Sequence, residues 1–448
     1  MGLFDRLRGD DRPRVAVIGI DGVPYSLLSS HFDEFEHLGA LAQEGTAGTI
    51  DSIVPPDSNA CWPALTTGRN PGETGVYGAT DREVDTYDTY IPMGREVQAK
   101  RVWGRVHDAG RQATVMNVPV TFPPERGVQR MVSGFLSPDL DKAAYPNELR
   151  EYLTDIGYRI DTDAGLGHQD DKTAFLDDAH ETLDKRFEAF KRYVELDDWD
   201  LFWGVFMTTD RVNHFLFREY EEGGESAETF MEFYRKLDRY IGELRAALPD
   251  DVTLVVVSDH GFTTIDYEVN CNEFLAREGW LDYETDQPTA LADIANSARA
   301  YSFVPGRFYL NLEGREPRGC VPEDEYESTR AELKAALTEL TGPDGNPVVQ
   351  RVETAEGAFR GSHDDIAPDL VAIPHDGFDL KASFNGTTEV FTTTHRNGMH
   401  TFDDASLFID HSEANIQDAD LYDIAPTVLT LLGVEYDRGE FDGATLIK

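Results

Sequence analysis

Seven side chains of metal-ligating or nucleophilic type stand where an apolar run ends or a helix is due to begin. Asp21 follows RVAVIGI, Asp259 and His260 follow VTLVVVS, and Asp210 and His214 lie in TTDRVNHF just after WDLFWGVFM. His395 lies in TTTHRNGMH, and Ser58 follows Pro55, Pro56 and Asp57 in PPDSNACWPALTTG. The Asp210-x-x-x-His214 spacing puts a carboxylate and an imidazole on one helix face, one turn apart. That mixture of oxygen and nitrogen donors suits Zn²⁺ or Mn²⁺ better than Ca²⁺.

Each piece alone has an ordinary structural reading. Asp210 reads as a helix N-cap, Asp21 as a local turn at a strand exit, and His395 as a surface residue. Asp259 and His260 would face opposite sides of a strand, and converge only if the chain turns at once, which Gly261 permits. Together the residues supply Asp, Asp and His for one ion and Asp, His and His for another. Two ions roughly 4 Å apart clamp the attacking and leaving oxygens of a phosphoryl transfer. Such a centre needs a nucleophile. A serine hydroxyl is a weak one until activated, and a helix N-terminus also favours a phosphate. Ser58, at the expected start of a helix, is the candidate.

The elements that must position these groups are legible as runs and periods. RVAVIGID, QATVMNVP, WDLFWGVFM and VTLVVVSDHG read as buried parallel strands. Helical patterns cover Thr173 to Glu195 and Ser226 to Leu248. Strands alternating with helices imply an α/β fold with a central, mostly parallel sheet flanked by helices, its functional residues at the carboxyl ends of the strands. From about Thr285 to Val390 the texture changes to short strands, such as RFYLNLEG and DLVAIPHDGF, around the amphipathic run EDEYESTRAELKAALTEL. The expected organisation is a catalytic core of residues 1–284 and 391–448, with an α+β cap inserted at 285–390. DADLYDIAPTVLTLLGV closes the core as a helix.

Composition narrows the class. The 448 residues carry 84 acidic and 40 basic side chains, a formal charge of −44, yet 40% are hydrophobic and 11% aromatic, enough for a folded core. A densely carboxylated surface is expected of a protein adapted to high salt, where the screening length falls to about 3 Å at 1 M. It argues against a nucleic-acid-binding surface. No apolar run reaches the roughly 18 residues of a membrane span. MGLFDRLRGDDRPR lacks the apolar stretch of a leader, and Arg6 breaks the myristoylation pattern. The three cysteines, Cys61, Cys271 and Cys320, read as reduced thiols. A cytoplasmic location is the expectation.

With these strings in order, IGIDG, PPDSNACWPALTTGRNPGETGVYG, TTDRVNHF, VVVSDHGF, THRNG and YDIAPTVLTLLGV, the chain resembles the alkaline phosphatase superfamily. The resemblance is to its type I phosphodiesterase/nucleotide pyrophosphatase branch and the related phosphohydrolase/phosphomutase group. It implies that Asp21, Ser58, Asp259 and His260 surround the ion that activates the nucleophile, and that Asp210, His214 and His395 hold the second. It further implies a metal-dependent phosphoester hydrolase, of phosphodiesterase type, using two divalent ions (Zn²⁺ first, Mn²⁺ as the alternative) and a phosphoseryl intermediate on a small phosphoester substrate. Nucleotide pyrophosphatases carry a phosphate-binding asparagine where this chain has Ala79, which leaves Arg396 or a cap residue to grip the phosphate. A phosphomutase on the same site, and a non-catalytic binding protein on the same fold, are the alternatives. SNACW lacks the C/S-x-P-x-R string of a sulfatase.

Overall fold

The computed structural model describes residues 12–196, 198–384 and 389–448. The part of the N-terminal stretch up to Asp11, read above as lacking a leader, lies outside the described residues.

The core is an eight-stranded sheet in the order Thr46–Ile50, Ala405–Ile409, Val252–Val257, Arg14–Ile20, Leu201–Phe206, Ala113–Val118, Arg130–Ser133, Ala144–Tyr145. The five strands from Val252–Val257 to Arg130–Ser133 are mutually parallel. Ala405–Ile409 and Ala144–Tyr145 run against them. This is the mixed, mostly parallel α/β architecture that the alternating pattern implies. Side chains alternate between two apolar layers. Ala16, Ile18, Ile20, Phe202 and Val256 pack under the helices Thr173–Glu195, Thr208–Glu222 and Ala227–Ala247. Val15, Val17, Trp203, Val205 and Val257 pack under Ser58–Thr67, Val102–Asp108 and Ile424–Leu432. Burying each of the Val, Ile and Phe side chains among these contributes about 1.5–3 kcal/mol, so the central strands are anchored on both faces. No described helix is long and apolar enough to cross a membrane.

Parallel register places the strand exits side by side. Ile20 pairs with Phe206 and Gly19 with Val257, so the next residues, Asp21, Met207 and Ser258, leave the sheet together.

Directly after His260 the chain enters a long strand, Gly261–Asn270, that belongs to a second, smaller sheet with Gly377–Lys381, Phe391–Thr392 and Gly398–Thr401. Beyond it a four-stranded antiparallel sheet, ordered Ala300–Phe303, Arg307–Leu310, Leu370–Pro374, Val349–Thr354, packs with the helix Tyr326–Thr338 around its own apolar cluster. Buried ion pairs tie this unit to the segment after Gly78: Arg307 Nη1 lies 2.6 Å from Asp81 Oδ1, and Arg82 Nη1 3.3 Å from Glu316 Oε1.

Candidate active site

Four chain segments bring six of the seven candidate residues together. The first is the exit of Arg14–Ile20. Gly22, at φ +66°, turns the chain right after Asp21; a Cβ there would sit 3.1 Å from His260 Cε1 and from the Phe262 ring. Its N–H donates to Asp259 Oδ1 at 3.2 Å. Asp21 and Asp259 are thereby locked to each other across neighbouring strands.

The second segment is the exit of Val252–Val257. Ser258 Oγ accepts from Val23 N–H and donates to the His260 carbonyl, each at 2.8 Å, so the turn through Asp259 and His260 is braced from inside. The strand ends at Val257, which lets the adjacent Asp259 and His260 turn toward the same point. Both are fully buried.

The third segment is the helix Thr208–Glu222, which starts as the strand Leu201–Phe206 ends. Thr209 Oγ1 donates to the Asp21 carbonyl at 2.5 Å and Asn213 Nδ2 to the Gly22 carbonyl at 2.7 Å, fastening this helix to the first strand exit. Asp210 and His214 then project one turn apart, with His214 Nε2 3.3 Å from Asp210 Oδ1.

Ser58 opens the helix Ser58–Thr67, capped by Asp57, whose side chain accepts from Asn59 N–H at 2.9 Å; Gly68 at φ +67° closes it. Ser58 Oγ lies 3.3 Å from Asp21 Oδ1 and 3.1 Å from His260 Nε2.

The structure does not bring His395 to this cluster. Its side chain is 47% exposed, with Nδ1 3.6 Å from Asp170 Oδ1. The third histidine at Asp210 is His400, whose Nε2 lies 3.0 Å from Asp210 Oδ1 and 3.1 Å from His214 Nε2. It ends the quoted string TTTHRNGMH and sits in Gly398–Thr401, opposite Phe262. In the structure buried Met399 anchors this short strand, whereas His395 follows two exposed threonines; the sequence carries no signal that separates the two histidines.

The three site histidines are oriented alike. Nδ1 of His214 faces the Gly398 carbonyl at 2.9 Å, that of His260 the Gly261 carbonyl at 3.0 Å, and that of His400 the Pro56 carbonyl at 3.1 Å. A carbonyl only accepts, so Nδ1 of His260 and of His400 carries the proton and Nε2 presents a lone pair to the cluster; at His214 the Gly398 carbonyl favours the same tautomer, while Arg396 Nη2, a donor only, lies 2.9 Å from the same Nδ1. This is the arrangement of imidazoles that ligate metals. The separations fit as well: donors about 2.0–2.1 Å from a tetrahedral Zn²⁺ lie about 3.3 Å apart, against 3.0, 3.1 and 3.3 Å among Asp210, His214 and His400.

The other donor set is Asp21, Asp259 and His260, whose ligand atoms converge. His260 Nε2 is 3.6 Å from Asp21 Oδ1 and 3.5 Å from Asp259 Oδ2. Asp259 Oδ2 is buried with no hydrogen-bond partner, an orphaned acceptor of the kind a cation would satisfy.

Charge states carry the same signature. Burial, then the charges of Asp259 and Asp210, push the Asp21 carboxyl well above its ordinary range. Burial pushes Asp259 up to about 7 and His260 down to about 3. Burial and Arg396 push His214 well below the usual imidazole value. For Asp210 burial works against ionisation, but His214, His400 and Arg211 outweigh it and hold its carboxyl well below the carboxylate range. Burial works against protonation of His400, but the hydrogen bond and charge of Asp210 outweigh it and hold its imidazole above the ordinary value. The buried carboxyl groups of Asp21, Asp210 and Asp259 crowd one another, a repulsion that a divalent ion would relieve.

A family profile described as type I phosphodiesterase / nucleotide pyrophosphatase matches residues 15–403. No curated protein matches the chain. Similar solved structures include phosphonoacetate hydrolase from Sinorhizobium meliloti 1021 in complex with phosphonoacetate, at 18% identity and TM-score 0.64 over 94% of this chain and 96% of that one. Murine ectonucleotide pyrophosphatase / phosphodiesterase 5 is similar at 14% identity and TM-score 0.54, over 94% of this chain and 95% of that one. An inactive form of the murine protein in complex with AMP is similar at 13% identity and TM-score 0.54, over 94% and 96%. At such identities the likenesses speak for the fold, while the profile spans most of the chain. The chain belongs to the type I phosphodiesterase/nucleotide pyrophosphatase family of the alkaline phosphatase superfamily, a family of phosphoester hydrolases.

Proposed function

We propose that the protein is a metal-dependent phosphoester hydrolase of phosphodiesterase type, with Ser58 as nucleophile. Asp21, Ser58, Asp259 and His260 would hold one divalent cation and Asp210, His214 and His400 the other, Zn²⁺ by preference and Mn²⁺ as the alternative. The observation that carries this reading is the common orientation of the three histidines, each with Nδ1 against a backbone carbonyl and Nε2 turned inward among buried carboxylates. When bound, the pair of ions supplies Lewis acidity to the phosphoryl oxygens and eases loss of the serine proton.

The chain's own groups do the rest. The helix Ser58–Thr67 aims Oγ at the phosphorus and offers its N-terminal dipole to the phosphoryl charge. Asp21 Oδ1 and His260 Nε2, within 3.3 and 3.1 Å of Oγ, keep the hydroxyl oriented. The new Oγ–P bond forms as the bond to the leaving oxygen breaks, and water then hydrolyses the phosphoseryl ester. Arg396, whose Nη2 lies 2.9 Å from His214 Nδ1, is the cation best placed to hold the substrate's anionic end in place of the asparagine replaced by Ala79.

The acidic surface, 84 acidic against 40 basic residues, supports adaptation to high salt. The three free thiols support a reducing compartment such as the cytoplasm.

The test is a panel of phosphomonoesters, phosphodiesters, nucleotide pyrophosphates and phosphonates with Zn²⁺- or Mn²⁺-loaded protein, run beside Ser58→Ala. Hydrolysis of a phosphoester in the parent, lost by about 10³-fold or more in Ser58→Ala with metal content unchanged, is the expected result. Unchanged turnover in Ser58→Ala removes the nucleophile, and accumulation of an isomer without free phosphate replaces hydrolysis with mutase chemistry.

A further inference from the structure

The helix that carries Ser58 brings a second side chain to Asp21. Trp62 follows Ser58 by one helical turn and is fully buried. Its indole Nε1–H donates to Asp21 Oδ2 at 2.6 Å, while Ser58 Oγ lies 3.3 Å from Oδ1 of the same carboxylate. The two carboxylate oxygens are thus met by two residues on one face of one helix. Room for the indole is made at Gly19, two residues before Asp21, where a Cβ would sit 2.4 Å from Trp62 Cη2. The contact is not a general habit of this core: the equally buried Trp103 and Trp203 leave their Nε1–H groups without a partner.

We infer that Trp62 is a positioning residue for Asp21, its indole N–H holding Oδ2 so that Oδ1 stays turned toward Ser58 and His260. An indole N–H can only donate, so it fits an acceptor oxygen and cannot compete for a cation. Because the clamp and the nucleophile ride on the same helix, any shift of that helix moves both together, and the distance between Oγ and the carboxylate is preserved. Outer partners of metal ligands set ligand orientation and affinity, and their removal costs about 10–100-fold in metal binding. The inference rests on the proposed role of Asp21 as a ligand.

The test is Zn²⁺ binding to metal-free protein, measured by competition with a chromophoric chelator, for the parent, Trp62→Phe, Trp103→Phe and Asp21→Ala. The expected result is that Trp62→Phe weakens one of two Zn²⁺ sites by about 10–100-fold, that Trp103→Phe, which loses the same ring volume, weakens neither, and that Asp21→Ala loses one ion. Parent-like affinity in Trp62→Phe, with one ion lost in Asp21→Ala, overturns the inference alone. Two ions retained in Asp21→Ala overturn the ligand role of Asp21 and the inference with it. Should Trp62→Phe fail to fold, site-specific replacement of Trp62 by benzothienylalanine keeps the ring shape and removes only the donor, and the same two outcomes decide.

Discussion

The Nε2 atoms of His214 and His400 face one another at 3.1 Å, and the Nδ1 of each lies against a backbone carbonyl on its far side. Two lone pairs at that distance repel unless a cation lies between them or one ring takes a second proton. Asp210 Oδ1, 3.0 Å from His400 Nε2, completes the set. His400→Ala is therefore expected to lose about one metal equivalent per chain and about 10²-fold or more in turnover. His395→Ala should keep both within twofold. Elemental analysis and turnover of the two variants check this, and parent-like metal content in His400→Ala would contradict it.

Arg396 lies against the His214 ring, yet its carboxylate partners are distant: Nη1 is 3.7 Å from Glu268 Oε1 and 3.6 Å from Asp379 Oδ2. A guanidinium held this loosely beside the site retains capacity for a substrate anion. Arg396→Met is expected to raise KM about tenfold with kcat within about threefold, the pattern of lost ground-state binding. Steady-state kinetics on a charged substrate measure it. A parent-like KM would move the phosphate grip to another residue.

The carboxylate excess makes a further claim on solvent. At low ionic strength a formal charge of −44 repels itself across the whole surface. Raising KCl from about 0.2 M to about 3 M shrinks the screening length several-fold, and the melting temperature is expected to climb by roughly 5 °C or more. Sucrose at matched osmolality should not reproduce the full shift. A melting curve indifferent to KCl would contradict adaptation to high salt.

Asp420 offers a pH test away from the site. It accepts from Tyr422 N–H at 2.8 Å and shares its turn with Asp423. Burial, then the Asp423 charge, push its carboxyl up to about 6, against about 3.9 in an unfolded chain. The folded state binds the proton more tightly, so this group's contribution to stability is full below about pH 4 and is lost as pH rises through about 6. Asp420→Asn keeps an acceptor for Tyr422 and removes the charge. In about 2 M KCl, which screens long-range repulsion, the variant should melt higher than the parent at pH 7.5, with the gap closing toward pH 4. A lower melting point at pH 7.5 would refute the assignment.

Much of the scaffold was legible because it is local. Apolar runs mark the four central strands, and the helix expected over Thr173 to Glu195 forms over those residues. Asp210 and His214 needed only a four-residue helical spacing, and Asp21, Asp259 and His260 only their place at strand exits. The strands Thr46–Ile50 and Ala405–Ile409 were not anticipated; Thr46–Ile50 has the weak, mostly half-buried pattern of a sheet edge.

The sequence by itself determined the family, the α/β class, and six of the seven side chains that the structure gathers at the candidate site, since each sits at a landmark that a few neighbouring residues define. Tertiary structure alone decided between His395 and His400, and brought Trp62 to Asp21. His400 reaches Asp210 only because Gly398–Thr401 returns from the excursion beyond Asn270 in antiparallel register with the strand that follows His260. A one-residue slip in that pairing would turn the imidazole to the other face, and nothing in the neighbouring letters specifies a register set by contacts more than a hundred positions away.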